Sequence, residues 1–369
     1  MKIILQKYIS NKCFEDKKIG AMNETVRSKV IINLEKIKSE VLSLLSGITV
    51  SYMDVIGIDK AIVERVSRVL RNKAQELPSL NVFDEKFYPP VKDDAENVIR
   101  YFMVMVAMDH RLSRPGRLYY ACLEDGCYKG ADLLYRLGMK KYEDDPEFFS
   151  PDKLSTITIE EVRSAFSAGE SSPVDVEIRT MLLRDLGVKL AKLYDSSATK
   201  LLQRSNNKIR GNLIEPGLLD NLRIFRAYED PVEKKSMLLA KFLIARGYFK
   251  PVDQPDVSVD NHLSRIAYRL GLVMVSGTIW DKIKNKEEVT FEEDILLRLT
   301  IRRAYRHVAE RAKLSPMNID DFFWIMGRST CLRDSPPVCE KCLFKGFCKA
   351  RNHSAFMVTE HTYYNTWYY

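Results

Sequence analysis

The stretch Phe322-Phe-Trp-Ile-Met-Gly-Arg-Ser-Thr-Cys331-Leu-Arg-Asp-Ser-Pro-Pro-Val-Cys339-Glu-Lys-Cys342-Leu-Phe-Lys-Gly-Phe-Cys348 crowds four of the chain's seven cysteines into 18 residues, whereas Cys13, Cys122 and Cys127 are dispersed. Clustering of that kind is a ligand pattern, because thiolates are soft donors suited to iron–sulfur clusters and to zinc, and close spacing lets one loop surround a compact inorganic core. An iron–sulfur cluster is the favoured reading. Zinc remains open, although structural zinc sites more often pair two short-spaced hairpins and only one Cys-x2-Cys occurs here. Disulfides are the third reading, disfavoured in a reducing cytosol.

Taken with the Phe322–Thr330 run, the loop resembles the iron–sulfur loop of endonuclease III and the adenine-mismatch glycosylases, within the helix-hairpin-helix DNA glycosylase superfamily. Those enzymes usually place six residues between the first two cysteines, and here there are seven, Leu332 to Val338, including Pro336-Pro337. The resemblance implies a [4Fe-4S] cluster on Cys331, Cys339, Cys342 and Cys348. In the family the cluster is not a reaction centre; it holds a basic loop against the nucleic-acid backbone. By that likeness Arg333, Lys341, Lys345 and Lys349 are the nucleic-acid-binding residues.

Upstream stands Val259-Asp260-Asn261-His262-Leu263-Ser264-Arg265-Ile266-Ala267-Tyr268-Arg269-Leu270-Gly271. The pattern predicts a short helix with Asp260 as N-cap, an apolar stripe of Leu263, Ile266, Ala267 and Leu270, and Gly271 as the stop. On that reading Asp260 is a cap like many others. The segment also resembles the Val-Asp-Thr-His-x-x-Arg signature of the same superfamily, with Asn261 in the threonine position, which implies that Asp260 is catalytic. The chemistry suits the place: breaking an N-glycosidic bond builds positive charge on the sugar, which a carboxylate can stabilise while it orients or deprotonates water. The amides at a helix N-terminus favour the ionised form. His262 has two readings, a group that orients a loop or contacts phosphate and a hydrogen-bonded structural histidine, of which the second is favoured.

The family's Leu-Pro-Gly-x-Gly hairpin corresponds to Ala227–Ser236, where both glycines are absent. Glycines let backbone amides approach a DNA phosphate, so their loss weakens the expected backbone grip. Lys235-Ser236 aligns with the lysine-threonine step of lyase-type members, which implies Lys235 as a Schiff-base nucleophile. A lysine between Glu233, Lys234 and Ser236 in a charged turn is otherwise expected to be solvated.

Apolar residues at three- and four-residue steps over Val26–Leu45, Ile62–Leu77, Ala95–His110, Ile159–Phe166 and Val176–Leu193 predict a mainly α protein. No sheet-building series is visible, and the β-rich Gly47–Asp54 suits an entry loop or one minor strand. Turn-rich segments at Leu77–Lys92, Gly138–Lys153 and Ser167–Pro173 set a two-lobed, glycosylase-like organisation. Its expected parts are a disordered extension (1–21), an N-terminal helical lobe (22–172), a helix-hairpin-helix lobe (173–327), the cluster loop (328–352) and a tail (353–369). The first lobe faintly resembles queuosine-nucleoside glycosylases through Tyr101–His110, Asp145–Phe149 and Val176–Arg179, which implies that Asp109 or His110 lines a nucleobase site.

A formal charge of +8 favours polyanionic partners through counterion release. The absence of an 18-residue apolar run argues against a membrane span, and the opening stretch lacks the features of a signal peptide, so a cytoplasmic monomer is expected. Three functions follow for test: an N-glycosylase acting on DNA, a glycosylase of free modified nucleosides, and a non-catalytic iron–sulfur protein that binds nucleic acid.

Overall fold

Capping residues at fixed places begin most of the long helices. In the computed structural model, which describes residues 55–369 apart from 115 and 213, Asp59 caps α1 (Lys60–Asn72) and Asp94 caps α2 (Ala95–Met108). The expectations for residues 1–21, 26–45 and 47–54 lie outside the described residues. Further along come α3 (Ala131–Asp144), α4 (Val176–Tyr194), α5 (Lys234–Ala245) and α6 (Asn261–Leu270). A Thr290/Glu293 capping box opens α7 (Phe291–Ala312), and Ser315 with Pro316 opens α8 (Pro316–Ser329). The protein is mainly α.

Every residue of α2 from Tyr101 to Met108 is buried, which its unbroken apolar sequence requires. It is the axis of a first core, against which α4 and α5 pack. A second core joins α1, α6, α7 and α8. The cores part between Phe249 and Val257, and α1 belongs to the second of them. The turn at 168–173 does not separate them, because α4 buries Leu182, Leu183, Leu186 and Leu190 within the first core.

Local expectations fail in two places for packing reasons. Gly138 does not sit in a turn: α3 runs through it, and a Cβ there would come within 2.5 Å of Met105 Cε, so the glycine serves close helix approach. Cys122 and Cys127, dispersed in sequence terms, face each other across the hairpin of β2 (Tyr120–Leu123) and β3 (Gly126–Lys129) and form a disulfide. Among the described residues a second strand pair joins β1 (Ile56–Ile58) to β4 (Val273–Val275), which lies just beyond α6.

Candidate active site

Four thiols surround one hollow. Cys331, Cys339, Cys342 and Cys348 line a cavity of about 20 Å³ together with Arg269, Leu270, Met326 and Met357. None of the four is in a disulfide. The loop closes on itself: the Cys331 amide donates to Met326 O at 2.8 Å, Val338 to Thr330 O at 2.8 Å, and Cys348 to Phe344 O at 3.0 Å. Phe344 stacks on Phe323 of α8, with ring centroids 5.8 Å apart, and so anchors the loop to the second core. Burial pushes the Cys342 thiol up to about 11 and moves Cys348 in the same direction, so a thiolate there needs a cation to form. Among the described residues no three His, Cys, Asp or Glu side chains converge closely enough to hold a single metal ion.

The helix expected from Val259–Gly271 forms as α6, with Asp260 Oδ1 accepting from the Leu263 amide at 3.0 Å and Gly271 in the left-handed region at φ 84°. Two arginines of α6 tie it to the cysteine loop. Arg265, fully buried, donates to Cys331 O at 3.2 Å, to Gly327 O at 2.9 Å and to Glu360 Oε2 at 3.1 Å. Arg269 Nη1 donates to Leu332 O at 2.7 Å and lies 3.4 Å from Cys331 Sγ, while Cys348 Sγ donates to Arg269 O at 3.3 Å. Sequence reasoning left both arginines unassigned; their shared face with Asp260's helix was the available signal.

His262 packs against Gly327 of α8, where a Cβ would fall 2.7 Å from its own Cβ, and it lies 3.0 Å from Arg265 Nη2. Burial, reinforced by Arg265, lowers its pKa to about 3. A neutral imidazole wedged between two helices is a structural group and not a phosphate-binding cation. Asp260 itself is only partly buried. Burial still pushes its carboxyl above the usual range, opposed by Lys234, the Leu263 amide and Arg265 and assisted by Asp109.

Lys235 is not solvated. It is wholly buried at the start of α5, donating to Ala107 O at 2.5 Å and standing 3.2 Å from His110 Nδ1. His110 is equally enclosed, 3.2 Å from Arg179 Nη1, and burial drives it well below the usual imidazole range. Lys234 turns instead to Asp109, the C-cap of α2. The hairpin that lacks its glycines is closed from within. Asp230 accepts from the amides of Val232 and Lys234, each at 2.9 Å, and Arg298 of α7 grips the same carboxylate at 2.8 and 2.9 Å. Glu233 occupies the left-handed region at φ 59°, a conformation glycine adopts without cost, and Arg210, Arg223 and Arg302 hold its carboxylate.

The basic loop residues differ in their freedom. Lys349 is spent on the fold, 3.2 Å from Asp59 Oδ2 with its stem lying over Gly271. Arg333 pairs with Glu360 at 2.5 Å, and Lys345 with Glu340 at 3.5 Å. Lys341 makes no ion pair among the described residues and is exposed on the short turn Cys339–Lys341. No helix of the described residues is long and apolar enough to cross a membrane.

No family model matches the sequence, and no curated protein matches it. Solved structures do. Among those it is similar to are two complexes of endonuclease III with DNA. A trapped covalent intermediate of endonuclease III with DNA, an estranged-adenine complex, aligns at 12% identity and TM-score 0.42, covering 80% of this chain and 96% of that one. A non-covalent endonuclease III–DNA complex aligns at 12% identity and TM-score 0.45, covering 80% of this chain and 97% of that one.

Proposed function

We propose that the chain hydrolyses the N-glycosidic bond of a damaged or modified base in DNA, as a base-excision repair glycosylase, with Asp260 as the charge-stabilising and water-activating residue and a [4Fe-4S] cluster on Cys331, Cys339, Cys342 and Cys348. The observation that carries the reading is the joining of Asp260's helix to the four-thiol cavity through Arg265 and Arg269. Asp260 is partly exposed at the helix N-terminus, and a carboxylate there supports the reading because it would stabilise an oxocarbenium-like sugar brought beside it. The base reaches it only after leaving the stack.

The residues around the cavity fit a cluster better than a lone ion. Zinc would draw its four sulfurs to ~2.3 Å from one point, and among the described residues no three ligating side chains converge closely enough for that. When bound, the cluster supplies cross-links that fix the loop carrying Lys341 and Lys345. The test is mass spectrometry of bases released from a panel of damaged duplexes and modified nucleosides by wild type and by Asp260→Asn.

A second reading has its own support. Asp230 occupies the hairpin amides that would otherwise meet a DNA phosphate, which favours a free modified nucleoside as substrate. Release from nucleosides but not from duplexes in the same panel selects it. Protein that binds duplex DNA and releases no base from either set selects the non-catalytic alternative.

A further inference from the structure

The β2–β3 hairpin buries one face and leaves the other open. Directly opposed residues of an antiparallel pair project to one side, and residues two apart along a strand share it. The pair Ala121 and Tyr128 turns inward, where Tyr128 is buried and Ala121 and Leu123 pack on the first core. The pairs Tyr120 with Lys129 and Cys122 with Cys127 therefore turn outward. Tyr120 is 48% exposed, and Leu118, two residues earlier, is 61% exposed. Arg117 is exposed and makes no ion pair among the described residues. The Cys122–Cys127 disulfide crosses the rung next to Tyr120 and Lys129, and ties together two strands that alone would be marginal.

The open end of this hairpin adjoins both the cysteine loop and the helix that Asp260 caps. Lys129 Nζ stands 3.8 Å from Asp334 Oδ2, in the segment between the first two cysteines. Gly130, whose amide donates to Tyr119 O at 2.8 Å, leads into Asp132, and Arg328 Nη1 of α8 donates to that carboxylate at 3.0 Å. The Arg328 guanidinium lies 4.4 Å from the centroid of the Trp324 ring, which meets His262, two residues beyond Asp260, edge-on at 6.4 Å. The acidic tip is at the other end of the strands, where Arg136 holds Asp125 at 2.7 Å and Glu124 is exposed.

We propose that the outer face of the hairpin is a nucleic-acid contact in which the Tyr120 ring stacks on an unpaired base while Lys129 and Arg117 meet the flanking phosphates, so that the chain prefers DNA with unpaired nucleotides beside the target base. The inference deepens the DNA reading and rests on it. Exposed apolar side chains rimmed by cations mark a contact surface, and an unpaired strand complements this one: each base offers a π-face to the aromatic ring, and each phosphate a charge to the cations. A paired base gives both faces to its neighbours in the stack and withholds them from Tyr120. Lys129 loses little in leaving Asp334, because both side chains are more than half exposed and such pairs are weak. The disulfide holds the Tyr120 rung in place beforehand, which lowers the ordering cost of binding.

The test is fluorescence anisotropy of the full chain with two labelled duplexes of equal length, one fully paired and one carrying a short unpaired bubble. Wild type should bind the bubbled duplex more tightly. Tyr120→Ala should weaken that binding by about fivefold to a hundredfold and leave the paired duplex little changed, while Tyr120→Phe keeps the wild-type preference. Replacing Arg117 and Lys129 together by alanine should flatten the salt dependence by up to about two units in log–log slope. Equal wild-type affinity for the two duplexes, a Tyr120→Ala variant that keeps the preference, or one that loses both duplexes equally overturns the proposal. Wild type that binds neither duplex defeats the DNA reading itself, whereas duplex binding with no effect at Tyr120 defeats this inference alone.

Discussion

Arg265 Nε donates to the main-chain oxygen of Cys331 at 3.2 Å, so the helix that Asp260 caps is fastened to the first cysteine of the loop. Arg265 is fully buried and its charge is answered by Glu360, also buried. Removing one partner of a buried ion pair leaves the other charge uncompensated, at a cost of about 3–5 kcal/mol. Arg265→Met should lower stability by that order in urea titration and lower the metal content of the purified protein as well. A variant that loses stability but keeps its metal would show that the loop stands without this tie.

The four thiols predict the metal. Anaerobically purified protein should be brown and hold about four irons per chain, with broad visible absorption from sulfur-to-iron charge transfer. Stoichiometric zinc without iron in such a preparation would overturn the cluster assignment. Serine at any one of Cys331, Cys339, Cys342 or Cys348 should reduce the iron content sharply.

Asp260 has two separable roles. Asparagine caps helices about as well as aspartate, so Asp260→Asn should change stability by at most about 1 kcal/mol, while the loss of charge should slow base release on the order of a hundredfold or more. Single-turnover base release with the preferred substrate measures this. Full activity in the variant would leave Asp260 as a cap alone.

The basic loop should divide by its partners. Replacing Lys341 and Lys345 with alanine should flatten the salt dependence of duplex affinity by up to about two units in log–log slope if each meets a phosphate. Lys349→Ala should instead lower the melting temperature with little change in slope, because Lys349 is bound to Asp59 and lies over Gly271. An equal flattening from Lys349→Ala would contradict the structural role given to it.

Acid should test the buried polar group at Asp294. Burial works against the ionised carboxylate, but His361 and Arg298 outweigh it and lower the pKa to about 2. A folded value depressed below the unfolded value of about 3.9 means a contribution to stability that is present above that unfolded value and lost as pH falls towards about 2. Asp294→Asn should therefore be clearly less stable than wild type at neutral pH, with the gap narrowing across that acid window in denaturant melts. A gap independent of pH would assign the effect to packing.

The chain's local signals were legible where short-range chemistry decides the outcome. Asp260 as a cap, Gly271 as a left-handed stop and the helix between them follow from side-chain hydrogen bonding and apolar periodicity within a dozen residues. The grouping of Cys331, Cys339, Cys342 and Cys348 follows from spacing alone, since one loop cannot carry them far apart. Burial and direction belong to tertiary structure. Lys235 reads as a solvated turn residue because its sequence neighbours are charged, yet α2 covers it and supplies the carbonyl it donates to, 128 positions away. The missing hairpin glycines pointed to a weakened phosphate grip; only the fold reveals Asp230 seated on those amides under Arg298, because the arginine arrives from α7. Which group each of two adjacent lysines meets, Asp109 for Lys234 and Ala107 for Lys235, was likewise decided by packing, since only the tertiary arrangement brings the end of α2 over the start of α5.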